Sequence, residues 1–105
     1  MKITIGLEKE DAQQLFANAF PHLRLEFMSG TTGLHRASHL CEISDNMTVQ
    51  EVETDISRAF GLPVQIMRKT GKVWIETAHT KHWTLSHQNE HGREISAATN
   101  ISKGT

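Results

Sequence analysis

The chain has a single cysteine, Cys41, in 105 residues. No intramolecular disulfide can staple it, and a reducing, cytoplasmic setting is the expectation. It also lacks a basic excess: the formal net charge is -1. That removes the electrostatic footprint of a non-specific nucleic-acid binder. No apolar run approaches the length of a membrane span, and the opening MKITIGLEKEDA has no signal-peptide core. Linkers and low-complexity blocks are missing too. These absences leave a chain long enough to build one hydrophobic core unaided. Residues 1–96 read as a single α+β domain and 97–105 as a flexible tail.

What is present is clearest between Thr48 and Thr77. Thr48 followed three residues later by Glu51 predicts a capping box at a helix start. Val49, Val52, Ile56, Ala59 and Phe60 then recur at helical spacing, with Gln50, Glu53, Asp55 and Arg58 assigned to the polar side. Gly61 suits a left-handed C-terminal residue, and Pro63 bars continuation. Val64 and Ile66 begin a strand, Thr70-Gly71 marks a turn, and Val73 to Thr77 returns as a second strand.

Upstream, Ile3, Ile5 and Leu7 alternate with polar residues as in a half-buried strand. A helix over Glu8 to Phe20 comes next, with Ala12, Leu15, Phe16, Ala19 and Phe20 as its apolar stripe, and Pro21 stops it. Leu23, Leu25 and Phe27 predict the next strand, and Leu40 to Ser44 a short one before the capped helix. Strand–helix–strand therefore occurs twice. That pattern predicts a two-layer α+β sandwich of ferredoxin-like type, with both helices on one face of a shared antiparallel sheet. It adds one hairpin strand and a short C-terminal helix capped by Thr84 or Ser86, ended or interrupted by Gly92. A β-grasp arrangement is the alternative.

Chemistry is thinly signalled. There are seven histidines, and imidazole is a common metal ligand. His87-Gln88-Asn89-Glu90-His91 spells H-x-x-E-H, a pattern in which His87 and His91 would bind zinc and Glu90 would activate water. Only a short segment remains to supply a third ligand, and a solvated helix face explains the same residues. Cys41 has no CxxC partner and reads as a buried small residue. The loop Gly30-Thr31-Thr32-Gly33, with Arg36 after it, can cradle an anion, yet lacks the ending of a P-loop. Trp74 lies between Val73 and Ile75, so this strand carries apolar residues on both faces. Trp74 and Trp83 are accordingly the candidate interaction face.

The run FGLPVQIMRKTGKVWIET, with WTLSHQNEHGREIS after it, resembles small uncharacterised bacterial domains carrying an F-G-L-P-V-Q, W-x-E-T and W-T-L segment. The resemblance covers roughly Thr48 to Ser96 and implies a free-standing domain, with no activity attached. The leading expectation for function is a small non-enzymatic interaction module acting as a homodimer, without membrane or nucleic-acid partners and without a cofactor. The alternatives are a zinc-binding protein or metallohydrolase on His87, Glu90 and His91, and a small-ligand or nucleotide-binding regulatory domain on the Gly30–Gly33 loop.

Overall fold

A computed structural model describes residues 1–5, 8–28 and 36–104, with 99–104 by backbone alone. The elements in chain order are β1 (Lys2–Ile5), α1 (Lys9–Ala19), β2 (Leu23–Phe27), β3 (Cys41–Ser44) and α2 (Val49–Phe60), then β4 (Val64–Thr70), β5 (Val73–Glu76) and α3 (Leu85–Gly104). A 3₁₀ turn over Ala78–Thr80 joins the last two.

The capped helix forms as its residues dictate. The Thr48 hydroxyl accepts from the Glu51 N–H at 3.2 Å, and the Glu51 carboxylate accepts from the Thr48 N–H at 2.9 Å. These bonds, the backbone one first, hold the Glu51 carboxyl below its ordinary range. Gly61 closes the helix at φ 69°, a conformation that a side chain would strain. Val49, Val52, Ile56, Ala59 and Phe60 are all fully buried. Gly71 at φ 67° and a negative φ at Lys72 give the two-residue turn between β4 and β5 the type II′ pattern.

The expected single sheet is not what the described residues form. Five strands fall into two antiparallel sheets, β1–β3 and β2–β4–β5. The β1–β3 pairing is one that a ferredoxin-like sheet contains; the β2–β4 pairing is not. The reason lies at the free edge of β2. Lys69 donates to the His22 carbonyl and Met28 to that of Pro63, so the Leu25 carbonyl must point away from β4. It accepts from Gln13 Nε2 of α1 at 3.0 Å. A helix side chain therefore occupies the position where β3 was expected to pair.

α1 lies across β1 and β2, α2 across β3 and β4, and the two helices tie the sheets together. One core cluster results. Ile5, Cys41 and Ile43 come from the first sheet, and Leu23, Leu25, Val64 and Ile66 from the second. Phe16, Phe20 and Phe60 fill the space between, with Phe27 edge-on to Phe60 at 4.8 Å. Leu15, expected in the stripe of α1, is 40% exposed instead.

α3 is the largest departure from expectation. Its backbone runs to Gly104, through the residues expected as a tail, and it is 20 residues long rather than short. Thr84 starts it by accepting from the His87 N–H at 3.1 Å. Gly92 does not interrupt it. A Cβ there would lie 3.0 Å from His22 Cβ and 3.1 Å from the Lys69 carbonyl, so the glycine lets the helix seat against the β2–β4 end. No helix among the described residues is long and apolar enough to cross a membrane.

Candidate functional site

The register of the three-stranded sheet decides where the tryptophans stand. Trp74 pairs with Lys69, and Ile75 with Arg68. Arg68 pairs in turn with Leu23, on the face that carries buried Leu25 and Ile66. Trp74 thus occupies the opposite, outer face, where the Arg24 guanidinium lies 5.7 Å from its ring centre. Beside it runs a groove of about 460 Å³ between α1 and the sheet. Glu10, Gln13, Gln14, Ala17, Arg24 and Trp74 line it. That volume suits a small ligand or an inserted side chain. Val73, 60% exposed, lies one residue before Trp74 and on the other face.

The outer edge of β5 is uncovered by any other described strand. Its inner edge is well used. Ile66 turns its N–H and C=O toward the β5 side, beyond the end of that strand. Glu53 accepts from the Ile66 N–H at 2.9 Å, and the Thr77 hydroxyl donates to the Ile66 carbonyl at 2.7 Å. Glu53, assigned to the polar side of its helix, is 8% exposed and also meets Lys81 Nζ at 3.4 Å. It satisfies a buried strand amide that no backbone reaches. Nothing in the helical periodicity distinguished Glu53 from the exposed acids around it.

Trp83 lies elsewhere. The His87 ring stacks on it at 4.1 Å with a 6° interplanar angle, and His91 meets it edge-on at 5.4 Å. The Arg68 guanidinium, which leaves β4 on the face opposite Trp74, is 5.8 Å from the Trp83 ring centre. Burial draws the pKa of that guanidinium down. Arg68 also donates to Gln88 Oε1 at 2.9 Å, and the fully buried Gln88 amide donates to the Thr80 carbonyl and hydroxyl. The two tryptophans expected to share a face are therefore apart.

His87 and His91 do share the helix face that their spacing implied, and Trp83 occupies it. Glu90 forms a two-pronged ion pair with Arg93, which lowers its carboxyl pKa. Among the described residues, no three His, Cys, Asp or Glu side chains gather closely enough to hold a metal ion. Residues Gly30, Thr31, Thr32 and Gly33 lie outside the described residues. Arg36 is described, and its guanidinium meets Glu8 at 2.8 Å. Cys41 is buried, as its sequence context suggested. Desolvation first, and the Asp55 carboxylate second, push its thiol pKa up, which disfavours the thiolate.

Comparison with protein-family models, with curated proteins and with solved structures yields no match.

Proposed function

We propose that the protein is a small non-enzymatic interaction module that acts as a homodimer, using the part of the three-stranded sheet that carries Trp74. The observation that supports this reading is the β5 edge. An open strand there brings together an outward Trp74, an exposed Val73 and a half-buried Ile75. Aromatic residues beside an unpaired strand edge are the materials of β-strand addition. In this reading the repeated strand–helix–strand order is a ferredoxin-like connectivity whose sheet is divided in two, each sheet taking a strand from both repeats. The zinc or metallohydrolase alternative has weaker support, because His87 and His91 pack on Trp83 and Glu90 is held by Arg93.

Sedimentation velocity and light scattering test the reading. The expected result is a dimer that Trp74→Ala shifts toward monomer while the fold survives. A strict monomer up to about 100 μM, where a dimer of about micromolar Kd would be almost fully assembled, overturns it.

A further inference from the structure

The β5 edge has a feature that generic stickiness does not need: its charges and apolar residues are self-complementary about Trp74. The hairpin alternation directs the backbone groups of Val73 and Ile75 toward β4, so those of Trp74 and Glu76 point outward. Reading outward from Trp74, Val73 and Ile75 are equidistant from it, and so are Lys72 and Glu76. Lys72 and Glu76 are both exposed. Neither joins any of the ion pairs among the described residues.

We propose that two copies of this chain join β5 to β5 in an antiparallel ladder whose two-fold axis passes through Trp74. This deepens the self-association proposed above and rests on it. In that register the two Trp74 residues exchange their outward N–H and C=O groups. Val73 faces the partner's Ile75, and Lys72, the turn residue just before β5, lies beside the partner's Glu76, each contact occurring twice by symmetry. A register slipped by one residue turns inward-facing backbone groups toward the new ladder and breaks the charge match. Slippage by two residues leaves Glu76 opposite Trp74. The register centred on Trp74 is the one that serves the outward backbone groups and pairs both charges. The three-stranded sheets become one six-stranded sheet, with the two tryptophans side by side on its outer face.

A competing reading makes Lys72 and Glu76 mere edge guards that keep β5 from pairing with anything. Charge reversal separates the two. Lys72→Glu alone sets Glu against Glu in the dimer, and Glu76→Lys alone sets Lys against Lys. Each variant should weaken self-association by roughly ten- to thirty-fold, as two attractive cross-strand pairs become repulsive. Mixing the two variants in equal amounts should restore dimers, since every pair is then opposite in sign, and so should the double variant K72E/E76K. Both side chains are exposed, so unchanged melting of the monomers verifies that the fold is intact. A wild-type dimer whose affinity ignores all of these changes overturns the register and leaves the homodimer reading standing. A wild-type monomer removes both.

Discussion

Trp74 and Trp83 look alike in the sequence and are both half-buried, but they keep different company. Trp83 is packed by the helix that follows it: His87 lies flat on it, His91 and Arg68 approach it, and its carbonyl accepts from Val49 at 2.9 Å. Trp74 borders an open groove and an open strand edge, with one guanidinium for company. The same residue type thus closes a fold in one place and leaves it unfinished in another. The difference comes from the element that each tryptophan belongs to. Trp83 precedes a helix whose fourth-residue repeat returns two imidazoles to its ring. Trp74 sits in a four-residue edge strand, with no described strand beyond it.

Truncation should break the comparison cleanly. Trp83→Ala removes a stacked, half-buried aromatic and is expected to destabilise the fold by about 3 kcal/mol, near the low end for aromatic deletions. Trp74→Ala removes a half-buried ring that rests on one guanidinium at a sheet edge, and should cost less, about 1 kcal/mol in monomer stability. Its effect should appear in assembly instead. Urea unfolding at low protein concentration measures the first quantity free of the second. If the two variants lose stability equally, the contrast between the tryptophans is mistaken.

The next test moves along β4 to its polar closure. Replacing Glu53 by Leu keeps the helix face apolar and leaves the Ile66 N–H buried without an acceptor. The expected loss is about 2 kcal/mol, the penalty for an orphaned buried donor. Glu53→Gln retains an acceptor oxygen and should recover most of that loss. If Leu and Gln prove equivalent, the bond from Ile66 to Glu53 contributes little, and Lys81 alone explains the buried acid.

Glu53 also illustrates where a sequence stops being legible. The helix around it was plain from Val49, Val52, Ile56 and Gly61, because local capping and periodicity are written in neighbouring residues. Its own burial was not, since the amide it serves lies on β4 and the need arises only once β5 ends short. The sheet division was hidden for the same reason. Gln13 on the Leu25 carbonyl is a contact between α1 and a strand edge that no spacing rule encodes. Gly92 reads as a helix stop until the His22 and Lys69 atoms pressed against it are known. Trp74 could be marked as facing away from Val73 and Ile75 by alternation alone; Trp83 could not be separated from it without knowing which way α3 folds back.

The smallest expected effect lies away from both tryptophans, at the Thr48–Glu51 capping box, and it tests whether the helix supporting the closed side is tied down locally. Glu51 has a lowered carboxyl pKa in the folded chain, because its charged form accepts from the Thr48 amide and hydroxyl. In the unfolded chain the same carboxyl titrates near pH ~4.3, so its stabilising contribution is complete above that pH. The contribution fades as pH falls through the lower folded value. Glu90, held by Arg93, is lowered as well and loses its contribution in the same acid window. Melting temperatures taken from about pH 6 to about pH 3 should therefore fall less steeply in Glu51→Gln than in the wild type, and a Glu90→Gln variant separates the second contribution. Above that window Glu51→Gln should be slightly less stable than the wild type, and below it the two curves should converge. Parallel curves over the whole range would mean that the box closes no better with a charged Glu51 than with a neutral one. The start of α2 would then owe its stability to Val49 and Val52 packing in the core and to the Thr48 hydroxyl on the Glu51 N–H, rather than to the charge on Glu51.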